Sequence, residues 1–134
     1  MRLELIDLHE RRDTRGSLIF GERPADVPFE PLRFFVVGDV PIGEVRGRHA
    51  HLECDQLLIC IVGAVEVTLD DGNDRQRVVL NSAAKALRIP PGVWGEQCYL
   101  TEGARLLVLA SQKYDPDDYI SDYDAFILSK RESE

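Results

Sequence analysis

Two of the chain's three histidines stand one residue apart, as His49-Ala50-His51. In an extended backbone side chains alternate between faces, so these imidazoles share a face and can meet one small molecule. An imidazole titrates at about 6.5, which suits proton transfer near neutral pH. With further ligands the same pair would suit a metal. The surrounding frame runs Gly43, five residues, His49, His51, four residues, Gln56, six residues, Gly63, and later Pro90-Pro91-Gly92-Val93-Trp94-Gly95. A catalytic zinc takes three protein ligands, and other divalent ions favour carboxylates. Gln56 offers only a neutral carbonyl oxygen, Gly95 offers nothing, and Asp55 faces away from its neighbour Gln56. The expectation is a site with no metal and no cofactor, in which His49 and His51 act as acid and base.

Three other residue types could serve a ligand there. Gln56 either donates to a substrate oxygen or is a satisfied buried amide. Trp94, after a stiff Pro-Pro-Gly turn, either stacks on a flat or sugar ring or belongs to the core. Arg15, Arg33 and Arg46 each open or follow an expected strand, where they converge on an anion or remain solvated.

The elements that must position these residues are short apolar runs separated by Gly, Pro and Asp, the pattern of an antiparallel sandwich or barrel. Strands are expected at 3–7, 17–22, 33–39, 56–62, 65–69, 76–80, 86–89, 96–100 and 105–111. Val65 to Leu69 alternates, so one face is wet; Leu57 to Val62 is continuously apolar, as in a strand buried on both faces. Asp70-Asp71-Gly72-Asn73 supplies a tight hairpin. Asp115-Pro116-Asp117 reads as a helix cap with proline in the first turn, opening a helix at about 116–128, after which 129–134 is a polar, frayed tail. The chain reads as a single domain, 1–134, with no repeat or linker. Its unpaired sheet edges make the N-terminal strands candidates for crossing to a second copy in a homodimer.

Bulk composition narrows the partners. A net charge of −8 and a pI near 4.9 argue against nucleic acid, while leaving room for one nucleotide in an arginine-lined pocket. No run approaches the roughly 18 apolar residues of a membrane span, and Met1-Arg2-Leu3-Glu4 starts no signal peptide. Cys54, Cys60 and Cys98 are odd in number and lack CxxC spacing, which reads as reduced thiols in a cytoplasmic protein.

Beyond the frame, which is that of the cupin motifs with Gln56 and Gly95 at two ligand positions, several stretches carry a narrower likeness. They are Asp13-Thr14-Arg15-Gly16-Ser17, Pro28-Phe29, Arg46-Gly47-Arg48-His49-Ala50-His51, Asp70-Asp71-Gly72, Pro91-Gly92-Val93-Trp94, Leu107 to Ser111, and a tail with Tyr114-Asp115, Asp118-Tyr119-Ile120, Tyr123 and Phe126. In these the chain resembles the dTDP-4-keto-6-deoxyglucose 3,4-ketoisomerases, the WxcM-like sugar-nucleotide cupins. The resemblance implies an all-β cupin (a double-stranded β-helix or jelly-roll barrel) with a short C-terminal helix. It also implies a cytoplasmic, metal-free homodimer with exchanged N-terminal strands, acting on a dTDP-linked keto-deoxysugar in deoxysugar biosynthesis. It maps the base to His49, with His51 also needed, and makes Arg15, Arg33 and Arg46 candidate substrate contacts, Arg15 in the partner's site. Phe35, Gln56 and Trp94 complete the expected substrate-binding set. Two departures stand out: Phe34-Phe35 where related chains carry tyrosines, and Gly95 where many carry histidine. A non-catalytic sugar-nucleotide-binding cupin, a C3/C5 epimerase and a metal-dependent cupin enzyme are the alternatives.

Overall fold

A computed structural model describes residues 1–132. Twelve strands are formed: β1 (Glu4–Asp7), β2 (His9–Asp13), β3 (Gly16–Phe20), β4 (Arg33–Val37), β5 (Val45–His51), β6 (Gln56–Val62), β7 (Val65–Asp70), β8 (Arg75–Leu80), β9 (Lys85–Ile89), β10 (Trp94–Tyr99), β11 (Arg105–Ala110) and β12 (Tyr119–Ile120); helix α1 (Tyr123–Glu132) follows. One sheet has the order β1-β9-β6-β11-β4 and the other β12-β5-β10-β7-β8, while β2 and β3 pair with each other alone. From β4 onward the chain mostly alternates between the two large sheets. This is the all-β cupin jelly roll, with the sheets facing each other and left open at their edges.

The core lies between the sheets, where Leu58 and Cys60 of β6, Val65, Val67 and Leu69 of β7, and Leu106 and Val108 of β11 are almost fully buried. The apolar run of β6 is explained by its second face. Leu57 points outward, yet Val27 and Phe29 from the loop before β4 pack over it and leave it with no exposure. That cover stops short of β4, whose outward residues Phe34 and Val36 are 71% and 48% exposed.

Two differences from the sequence expectation matter for the site. Strand β2 reads His-Glu-Arg-Arg-Asp, all exposed, and carries no apolar alternation by which it could be recognised. The helix expected at 116–128 is split. Asp115 does cap a turn, accepting from the Asp117 amide, but this turn is a single 3₁₀ one at Pro116–Asp118. Tyr119 and Ile120 then pair with His51 and Ala50 of β5. Asp122 restarts the chain as a helix, its carboxylate accepting from the Asp124 and Ala125 amides at 2.9 and 3.2 Å. Residues 129–132 of the expected frayed tail are helical, and 133–134 lie outside the described residues.

Candidate active site

Strand β5 carries the histidine pair on its inner face and needs a bulge to add Arg46 to it. A period-two count from His49 would put Arg46 on the opposite face. The register opposite β10 runs from Gly95↔His49 to Gln97↔Arg46, so two β5 residues, Gly47 and Arg48, face one β10 residue. Gly47 takes φ +83°, the left-handed conformation glycine supplies at such bulges. Arg46 and His49 therefore line the same cavity of about 270 Å³, together with Phe35 of β4, Gln56 of β6 and Gln97 of β10. Leu58, Leu106 and Val108 give it an apolar floor.

The two imidazoles meet edge to face, with ring centroids 4.9 Å apart. His51 is 4% exposed and its Nδ1 lies 2.9 Å from Asp118 Oδ2. The same carboxylate accepts from the amides of Glu53 (2.8 Å) and Cys54 (3.3 Å), so it is held from three sides. A carboxylate partner makes Nδ1 the protonated nitrogen and leaves Nε2 as a lone pair. His51 Nε2 is buried without a partner among the described residues. Tyr119 covers both imidazoles, at 4.9 Å from His49 and 4.4 Å from His51. Arg33 lies between the rings of Phe35 and Tyr114, at 5.4 and 5.7 Å, and its Nε is also buried and unpaired.

Electrostatics keep both imidazoles neutral. Burial, with His51 as a neighbour, lowers His49 to about 4. Burial lowers His51 as well, against the pull of Asp118 and with the help of the Arg33 charge. Tyr99, buried at the inner end of β10 and lining the same cavity, is pushed up to about 12 by burial and stays a neutral hydroxyl.

Of the residues named from sequence, His49, Arg46, Gln56 and Phe35 line the cavity, and His51 and Arg33 stand beside it. Trp94 does not join them. It is 3% exposed on the opposite face of β10, packed with Ala50 and with Phe126 of α1, where the ring centroids are 5.6 Å apart. The core alternative is the one this position supports. Arg15 is also apart, at the tip of the β2–β3 hairpin, with its side chain 88% exposed and its guanidinium 2.8 Å from Asp13. Sequence reasoning assigned no site role to Asp118, Tyr119, Tyr114, Gln97 or Tyr99.

One trio among the described residues brings metal-ligating atoms together: His51, Cys54 and Asp118, all within 4.8 Å of one another. The Asp118 carboxylate, His51 Nδ1 and the Cys54 thiol are already engaged without an ion, while His51 Nε2 has no partner among the described residues. His51 Nδ1 and two amides occupy the carboxylate, and the Cys54 thiol donates to the Asp55 carbonyl at 3.5 Å. A cation bound through Nδ1 or the thiol would have to displace their protons, so the arrangement as it stands favours hydrogen bonds over an ion.

The sequence profile of the FdtA family, described as WxcM-like, C-terminal, matches residues 1–131. The chain is 39% identical over 126 residues to a TDP-4-oxo-6-deoxy-alpha-D-glucose-3,4-oxoisomerase of Aneurinibacillus thermoaerophilus, covering 94% of this chain and 91% of that one. Among solved structures it is similar to a 3,4-ketoisomerase from Helicobacter canadensis, with a TM-score of 0.93 and 37% identity over 98% of each chain. It is equally similar to QdtA, a sugar 3,4-ketoisomerase from Thermoanaerobacterium thermosaccharolyticum in complex with TDP. There the TM-score is 0.93 at 36% identity, covering 98% of this chain and 96% of that one.

Proposed function

The chain belongs to the FdtA family of WxcM-like, C-terminal proteins, from which we infer that it is a sugar-nucleotide 3,4-ketoisomerase, converting a TDP-linked 4-keto-6-deoxyhexose to the 3-keto isomer. The observation that carries this reading is the neutral histidine pair beside a small mixed cavity, with His51 tied to a buried carboxylate. A hydrogen at C3 of a 4-keto sugar is α to the carbonyl and acidic enough for a base to remove. His49 takes that proton; the C–H electron pair becomes the C3–C4 double bond and the carbonyl pair moves to O4. Hydrogen bonds from Gln56 or an arginine hold the developing oxyanion. O4 then gains a proton, O3 loses one, and a proton returns to C4, leaving the ketone at C3. The net change is an isomerisation with no redox partner.

The cavity, at about 270 Å³, lies at the small end of ligand pockets, roughly 300–1,000 Å³. That size suits one hexose ring, with the nucleotide lying outside against Arg33, Arg46 and a partner's Arg15. A homodimer belongs to the same proposal. It is supported by a hairpin that pairs with no other strand, by Leu18 on it at 60% exposure, and by the uncovered Phe34 and Val36 of β4. No helix among the described residues is long and apolar enough to cross a membrane, and a cytoplasmic location completes the reading.

The reaction is tested by incubating the protein with TDP-4-keto-6-deoxyglucose in deuterated water, with a 3-aminotransferase to trap the product. Proton NMR should show deuterium entering the sugar and a 3-amino sugar accumulating. Starting sugar recovered without deuterium would overturn the assignment, and deuterium at C5 alone would make the protein an epimerase.

Two further outcomes follow from the geometry. A base must be neutral to accept a proton, and His49 stays neutral until pH falls to about 4. The acid limb of kcat/KM should therefore lie well below 6.5, with activity held through pH 6 and 5.5. Over the same window an unfolded chain binds a proton that the folded one refuses, so thermal stability should fall as pH drops from about 6.5 toward 4. Trp94→Phe removes an indole N–H that has no acceptor among the described residues and trims a packed ring. It should lower Tm by a few degrees and leave kcat/KM within about threefold; a loss of tenfold or more in kcat/KM would return Trp94 to the substrate.

A further inference from the structure

On β10 the inward residues are Gly95, Gln97 and Tyr99, opposite β5 and inside the barrel. Gln97 is the one whose side chain is placed by missing neighbours. A Cβ added at Gly47 would stand 2.0 Å from Gln97 Oε1 and 2.8 Å from its Cδ, and one added at Gly95 would be 3.6 Å from its Nε2. The carboxamide therefore lies in a slot between two glycines, one in the β5 bulge and one facing His49 across the strand pair. Its cavity-lining amide has no hydrogen bond among the described residues. The amide stays within reach of whatever fills the cavity, and water or a ligand completes its hydrogen bonds there. The register sets its reach: Gln97 faces Arg46, two residues along β10 from the position opposite His49, which is about 7 Å of strand.

We propose that Gln97 is a specificity-determining residue, whose amide hydrogen-bonds an oxygen of the hexose that His49 deprotonates. This rests on the ketoisomerase reading and adds to it a polar contact that neither histidine supplies. A site that hydrogen-bonds a sugar oxygen loses affinity for the sugar when the amide is removed, because the oxygen is then desolvated without a partner. The nucleotide, bound outside the cavity, loses nothing.

The test is Gln97→Met, close in shape and without hydrogen-bonding atoms. With TDP-4-keto-6-deoxyglucose, kcat/KM should fall by about 10- to 100-fold, mostly through KM. The Kd of TDP itself should stay within twofold. Since the amide has no partner among the described residues, Tm should be unchanged or higher, which separates this role from a structural one. A kcat/KM within threefold of wild type overturns the proposal, as does a TDP affinity that falls in parallel. The wild-type arm is read first: no turnover there overturns the ketoisomerase reading and the proposal with it. Normal wild-type turnover with an unaffected variant overturns the proposal alone.

Discussion

His49→Asn is expected to lower isomerisation by about 10³-fold or more while TDP still binds within about threefold of wild type. Asparagine preserves much of the volume and a hydrogen-bonding edge but has no basic nitrogen, so the variant loses the proton acceptor and little else. General bases contribute about 10²–10⁴ in rate, and among the described residues no other neutral base lines the cavity to replace this one, since its cations are permanently charged arginines. Deuterium incorporation from solvent reads the first proton transfer by itself and should disappear together with product. Near-normal exchange in the variant would move the base elsewhere, with His51 Nε2 as the next candidate. If exchange vanished but TDP affinity fell equally, His49 would be holding the site's shape, and the base assignment would lose its support.

The histidine pair was legible from sequence because three short-range regularities coincide at it: period-two alternation, the glycine spacing of the frame, and the absence of third and fourth metal ligands at Gln56 and Gly95; the choice of His49 as base came from the family resemblance. Trp94 was legible in principle by the same parity. If Gly95 faces His49, its neighbour must face away, and the structure buries Trp94 against α1. The place of Arg46 required a backbone exception. Only a bulge brings it to the side of His49, and the sequence signal for that is a single glycine, Gly47. Asp118 and Tyr119 lie beyond any local rule. They reach His51 across 67 residues, from a segment whose capping signal was correct for one turn. A second cap at Asp122 was the available hint that the helix begins later, freeing Tyr119 and Ile120 to pair with β5. Gln97 was hidden because the frame directs attention to Gly95, and the amide enters the cavity beside the position where no side chain stands.

Asp118→Asn tests whether that distant carboxylate takes part in the chemistry, and two losses are expected at once. The carboxylate, 7% exposed, accepts from the His51 ring and from two amides. An asparagine has one oxygen for these three donors, and whichever way its amide is turned, an N–H faces another N–H. Hydrogen bonds to a charged acceptor contribute about 1.5–3 kcal/mol each, so a stability loss of about 2–4 kcal/mol is expected. The second loss is one of tautomer. If the asparagine N–H faces Nδ1, that nitrogen must accept, the proton moves to Nε2, and the lone pair beside His49 disappears. For a histidine that must hold one tautomer, such an exchange costs about 10⁴ in kcat; a smaller loss, roughly 10²–10³, is expected on the proposed reading, in which His51 assists His49 as base. Misfolding alone would also lower activity, so the deciding measurement is an NMR titration of the His51 ring in folded variant. Asp118 is what holds His51 up against burial and the Arg33 charge, and its removal should move the ring's titration to lower pH while TDP affinity stays within threefold. An unmoved titration beside an unchanged kcat would make the carboxylate a clamp for the Glu53–Cys54 turn and no part of the proton path.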